Sequence, residues 1–149
     1  MSKKIIWATD GSEDANRALP TALELAANGG KLIVIHADER LGGRPGNVPA
    51  LADEDDLQAG IRSKVRELEE SGIDATFNVV HGTNRDPADL IAEAAKDEKA
   101  DMIVVGTRGH GRVAGMLLGS VTQRLLHVAP CPVVAVPPQV GAPAAAGTS

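Results

Sequence analysis

Four short stretches of the chain are apolar at every position: Ile5-Ile6-Trp7-Ala8, Leu32-Ile33-Val34-Ile35, Met102-Ile103-Val104-Val105 and Val133-Val134-Ala135-Val136. A strand with one face in water alternates apolar and polar residues, whereas a strand covered on both faces does not. The four runs therefore predict buried strands of a parallel sheet. A fifth run, Thr76-Phe77-Asn78-Val79, alternates and predicts a less covered edge strand. Between these runs the apolar period becomes helical. Ala15, Ala18, Leu19, Ala22, Leu23 and Ala26 form one stripe behind Ser12, a residue suited to capping. Pro20 falls inside that stripe and is expected to kink or break the helix. Leu57, Ile61, Val65 and Leu68 form a second stripe, closed by Ser71-Gly72. A third, with Leu90, Ile91, Ala94 and Ala95, opens at Asp86-Pro87; a fourth, with Val121, Leu125 and Val128, ends before Pro130.

The resulting order, β-α-β-α-β-α-β-α-β, leaves every crossover long enough for a helix. It predicts an α/β fold: one doubly wound, five-stranded parallel sheet with helices on both faces. The segment 38–52, rich in Gly, Pro and Asp, reads as an irregular loop long enough to be functional, as a flap over a site. Residues 139–149, rich in Ala, Pro and Gly, read as a disordered tail after a domain spanning 1–138. Prolines at 132, 137 and 138 bracket the last strand and suit an edge, because proline cannot donate to a ladder. A bare apolar edge needs a cover, so a homodimer through strand 131–136 is expected.

Composition narrows the functional classes. The chain has no Tyr, one Trp and one Phe among 149 residues, too few aromatics for a base-stacking platform. A net charge of −5 also argues against non-specific nucleic-acid binding. No run is long and apolar enough for a transmembrane helix, and Asp10 interrupts the N-terminal run too early for a signal-peptide core. With a single cysteine, Cys131, the expected location is cytoplasmic. Cys131 itself, between two prolines, reads as a small buried apolar residue. The charge is unevenly spread. All 20 acidic residues lie at or before Asp101, while Arg108, Arg112 and Arg124 follow it. An acidic protein that keeps its last third free of carboxylates has a region suited to an anion.

That region opens with Gly106-Thr107-Arg108-Gly109-His110-Gly111 and reaches Gly119-Ser120-Val121 at the start of the fourth helix. Glycines let backbone N–H groups approach a phosphate closely, and a helix N-terminus favours negative charge. A plain glycine loop followed by a serine cap would look the same locally. The two readings differ in whether a ligand is held.

The spacing Gly106-x-x-Gly109, nine residues, then Gly119-Ser120 resembles the G-2X-G-9X-G-S/T signature of the nucleotide-binding branch of the universal stress protein family. Ile5-Ile6-Trp7-Ala8-Thr9-Asp10-Gly11-Ser12 is similar to that family's first strand and Asp-Gly-Ser turn, and Pro130-Cys131-Pro132-Val133-Val134-Ala135-Val136 to its closing strand. The resemblance implies sheet order 3-2-1-4-5, with a crevice where strands one and four diverge. It implies ATP binding, with Mg2+ where the nucleotide brings it. Ala8 and Thr9 would line the base pocket and the Ala37 backbone would read the adenine edge. Asp10 would lie near ribose and phosphates and help hold a divalent cation, although an Asp at such a turn can also serve only as a cap. Val105 and Gly106 would flank base and ribose, while Gly109, Gly119, Ser120 and Val121 would bind phosphates.

Arg108 and Arg112 read as solvated loop arginines. His36, His81 and His110 fall near strand ends without the cysteines or spaced carboxylates of a metal site. Gly109-His110-Gly111-Arg112-Val113-Ala114 fits G-x-G-x-x-A, but no acid follows for a dinucleotide ribose. No lysine follows the glycines as in a P-loop. A flavin carrier would need more aromatics, and a response-regulator receiver would need Asp where Val79-Val80-His81 stands. The expected function is adenine-nucleotide binding in stress response or signalling, without efficient turnover. A slow ATPase, or a protein preferring AMP or cyclic AMP, is the alternative.

Overall fold

In the computed structural model, residues 2–40, 54–107 and 118–138 are described. The expected 139–149 tail, most of the 38–52 loop, and Arg108, Gly109, His110 and Arg112 lie outside them. Among the described residues five strands and four helices alternate: β1 Lys4–Ala8, α1 Glu13–Leu25, β2 Lys31–Arg40, α2 Glu54–Glu70, β3 Ala75–Thr83, α3 Pro87–Glu98, β4 Met102–Gly106, α4 Ser120–Val128 and β5 Val133–Val136. All strand pairs are parallel, in the order β3-β2-β1-β4-β5. The expected topology and both edges are therefore found.

The apolar runs divide residue by residue between two cores. Ile5, Trp7, Leu32, Val34 and Val104 point to one face, where Ala18, Leu19 and Ala22 of α1 and Ile61 and Val65 of α2 cover them. Ile6, Ala8, Ile33, Ile35, Ile103 and Val105 point to the other, under Ala88, Ile91 and Ala95 of α3 and Leu125 of α4. Side chains of successive strand residues leave opposite faces, so a strand feeding two cores must be apolar throughout. Trp7, the largest core side chain, is buried and donates its indole N–H to the Ala15 carbonyl at 2.9 Å. That bond satisfies its polar end and ties β1 to the first turn of α1.

Three expectations need correction. α1 runs unbroken through Pro20. Pro20 is exposed, so the carbonyl that loses its helical donor can face water, and the helix tolerates the ring on its outer side. β2 does not stop at Ile35 but continues to Arg40, pairing Asp38, Glu39 and Arg40 with His81, Gly82 and Thr83. The first part of the presumed loop is thus strand, held by backbone pairing that is indifferent to polar side chains. Cys131 is half-buried at the margin of the second core rather than fully enclosed. No helix among the described residues is long and apolar enough to cross a membrane.

Candidate functional site

The crevice lies where the chain leaves β1 toward α1 on one face and leaves β4 toward α4 on the other. The two strands are neighbours, with Trp7 opposite Val104. Their C-terminal ends carry most of the expected site residues. Ala8 and Val105 are buried at the last turns of β1 and β4, and Gly106 ends β4. Thr9 is buried just beyond β1, and Asp10 is half-buried beside it. Ala37 lies in β2, half-buried, opposite Val80 of β3. Gly119, Ser120 and Val121 form the cap and first turn of α4. Gly109 lies outside the described residues.

The β1–α1 turn is built from local hydrogen bonds. Asp10 Oδ1 accepts from the Ser12 N–H at 2.9 Å, and Thr9 Oγ1 accepts from the Gly11 N–H at 3.0 Å. Ser12 then caps α1 by accepting from the Ala15 N–H. Gly11 has φ +81°, a left-handed conformation that favours glycine. Asp10 thus supports the turn that leads into α1, while the cap of the helix itself is Ser12.

At β4 the backbone is packed unusually close to α1. A Cβ on Gly106 would stand 2.6 Å from the Asp14 carbonyl oxygen, so a side chain cannot be accommodated without backbone movement. The Gly119 N–H donates to the Thr107 carbonyl at 2.6 Å, and Thr122 Oγ1 donates to the Gly106 carbonyl at 2.9 Å. These bonds fix the start of α4 against the end of β4. α1 is capped by Ser12 and α3 by Asp86, and both carry acids in the first turn. α4 has neither a side-chain cap nor an acid there. Its first-turn N–H groups and positive dipole end are therefore uncompensated by its own side chains. The Thr107 hydroxyl beside them is buried and has no hydrogen-bond partner among the described residues.

A polar network that the apolar pattern did not predict lies on the β2 side. His36 is buried, with Nδ1 2.9 Å from the Thr9 carbonyl and Nε2 2.7 Å from Glu54 Oε2. Gln58 donates to the same Glu54 oxygen at 2.6 Å and lies 3.5 Å from Asp38 Oδ2. His81 Nδ1 is 3.3 Å from Asp38 Oδ2. His36 and His81 thus belong to one chain of contacts through Glu54, Gln58 and Asp38. No group of three or more His, Cys, Asp or Glu among the described residues is arranged to hold an ion. The signal available in sequence was a histidine and an aspartate alternating with apolar residues in a buried strand; their partners were not visible.

The model of the universal stress protein family matches residues 1–137. A universal stress protein of Thermus aquaticus is 37% identical over 145 residues, covering 91% of this chain and 99% of that protein. One from Methanocaldococcus jannaschii is 32% identical over 141 residues, covering 90% of this chain and 81% of the relative. A crystal structure of a universal stress protein in complex with cAMP superposes with a TM-score of 0.63 at 29% identity, covering 90% of this chain and 95% of that one.

Proposed function

We propose that this chain, which belongs to the universal stress protein family, binds an adenine nucleotide in the β1/β4 crevice, ATP foremost, as a stress-response or signalling protein without efficient turnover. The observation that carries the reading is the start of α4. It is pinned to the end of β4, lacks a side-chain cap and a first-turn acid, and stands beside the buried Thr107 hydroxyl. A phosphate chain supplies acceptors for the N–H groups of Ser120 and Val121; Gly119, whose own N–H is taken by the Thr107 carbonyl, lets the phosphates approach the backbone without a side chain in the way, and Gly109 completes the set. Ala8, Thr9 and the Ala37 backbone take the base, and Val105 and Gly106 flank base and ribose. Asp10 stands near ribose and phosphates. Its carboxylate suits a cation that the phosphates also hold, so the residues present fit Mg2+ brought by the nucleotide. That ion would offset repulsion between Asp10 and the phosphates. The proposed setting is cytoplasmic, as a homodimer joined through β5. Cyclic AMP is the second reading, favoured by the cAMP complex of a chain 29% identical to this one.

The test is calorimetric titration of wild type, Gly119→Val and Ser120→Ala with ATP, cyclic AMP and adenosine. Gly119 has φ −73° and ψ 165°, which valine adopts without backbone strain. Gly119→Val should abolish measurable ATP binding while circular dichroism stays unchanged. Ser120→Ala should cost about 1.5–3 kcal/mol toward ATP, the range for one hydrogen bond to a charged group. Adenosine, without phosphates, should lose little in either. A folded Gly119→Val protein that binds ATP like wild type removes the phosphates from this helix.

A further inference from the structure

The buried His36–Glu54 pair has a hydrogen-bond pattern that allows few arrangements. The Thr9 carbonyl can only accept, so His36 Nδ1 must carry a hydrogen and donate it across the 2.9 Å contact. His36 Nε2 then meets Glu54 Oε2 at 2.7 Å, which requires a second hydrogen between them. A bare ring nitrogen facing a bare carboxylate oxygen would repel at that distance. Both side chains are almost fully buried, with 2% and 4% exposure, so neither can turn to water instead. The same Glu54 oxygen also accepts from Gln58 Nε2 at 2.6 Å.

Thr9 is consequently fixed at both backbone groups by β2. Its N–H donates to the Ile35 carbonyl at 2.9 Å, and its carbonyl receives the His36 ring. His36 is also the residue immediately before Ala37. The two elements assigned to the base, Thr9 and the Ala37 backbone, therefore flank one ring whose orientation is set by the first residue of α2.

We propose that His36 and Glu54 are positioning residues for base selection: by sharing a hydrogen between Nε2 and Oε2 they hold Thr9 and Ala37 at the spacing that admits adenine. The inference rests on the adenine-binding reading and adds the residues that set its specificity. Neither side chain need touch the nucleotide. Glu54→Ala leaves His36 Nε2 without its partner and frees the ring to rotate. Glu54→Gln keeps the partnership, because an amide N–H can donate to Nε2 while Nδ1–H stays on Thr9.

The experiment measures ATP and GTP affinity side by side for wild type, Glu54→Ala, Glu54→Gln and Glu54→Asp, with thermal melting recorded for each. Glu54→Ala should lose about tenfold in ATP affinity, on the scale of one buried hydrogen-bond partner removed, while GTP binding changes little. Base preference should therefore collapse. Glu54→Gln should retain it. Glu54→Asp, which withdraws the carboxylate by one methylene, should lose it too, and serves if the alanine variant does not fold. Unchanged ATP preference in folded Glu54→Ala or Glu54→Asp overturns the proposal, as does an equal fall for ATP and GTP, the mark of general loosening. A wild-type protein that binds neither nucleotide, or both alike, overturns the adenine reading itself and the proposal with it.

Discussion

Gly106 gives the sharpest test of how the crevice is built. The Cβ of an alanine there would lie 2.6 Å from the Asp14 carbonyl oxygen, 2.7 Å from its carbon and 3.0 Å from the Ala15 nitrogen. Relaxed carbon contacts lie nearer 3.5–4.0 Å, so roughly an ångström of separation must be found. All three neighbours are backbone, so no side-chain rotation relieves the contact. Nor is that turn of α1 free to move. The Trp7 indole donates to the Ala15 carbonyl, Ser12 caps the helix, and Asp14 is buried in an ion pair with Arg17. On the other side, the bonds from Thr122 to Gly106 and from Gly119 to Thr107 pull the start of α4 along with β4.

Overpacking typically costs 1–3 kcal/mol, and with only backbone to yield, Gly106→Ala belongs in the upper half, about 2–3 kcal/mol. For a domain of this size each kcal/mol moves the melting midpoint by roughly 2–4 °C, so a fall of about 4–12 °C is expected. Gly60→Ala is the matched control. It lies within α2 with nothing within 4 Å of the added carbon, and should gain the helix propensity of alanine over glycine, about 1 kcal/mol. The assay is thermal melting by circular dichroism at one protein concentration, with and without ATP. An unchanged midpoint for Gly106→Ala would refute the close packing of β4 on α1. A fall for Gly60→Ala equal to that of Gly106→Ala would show the effect to be unrelated to contact.

Three further predictions concern the far edge of the sheet. Burial, and secondarily the Asp101 carboxylate, push the Cys131 thiol up from its ordinary range. Cys131 should therefore react with iodoacetamide more slowly at neutral pH than the unfolded chain does. Because the folded thiol holds its proton more tightly, this group's contribution to stability is present below the ordinary thiol range and is lost as pH rises through the raised one. A denaturation series across that range checks the sign. Val134→Lys, which puts a charge into β5, should convert a dimer to monomer in sedimentation; an unaltered dimer places the interface elsewhere.

The topology was legible because a sheet covered on both faces forces uninterrupted apolar strands, and four of the five strands announce themselves that way. β2 was read short for the same reason. The apolar rule stops near His36, whereas backbone pairing continues to Arg40 opposite Thr83. The proposed phosphate side could be suggested from sequence because its groups belong to the main chain, and a main chain that must approach a ligand leaves glycines at fixed spacing. The His36–Glu54 contact could not, since its partners lie 18 residues apart and either alone reads as an ordinary polar residue. Gly106 stood out in sequence as the first glycine of the loop signature, expected to flank base and ribose, yet its tightest constraint is the backbone of α1. That contact depends on how closely two elements approach, which no local pattern encodes.

The charge asymmetry also acquires a structural meaning. Carboxylates around the crevice are largely engaged by cations or hydrogen-bond donors: Asp14 meets Arg17, Asp38 meets His81, Glu54 meets His36 and Gln58, and Asp89 meets Arg124. Asp10 accepts from the Ser12 N–H. Opposing these, the α4 terminus contributes positive potential and has no acid in its first turn. A phosphate chain placed there meets unopposed donors on the β4 side and, in the proposed arrangement, one carboxylate across the crevice at Asp10. Such a site favours an anion that arrives with a divalent cation over a bare one. Donors of this kind hold a ground-state phosphate well without supplying a base to activate water. That construction is the basis of the proposed binding without efficient turnover.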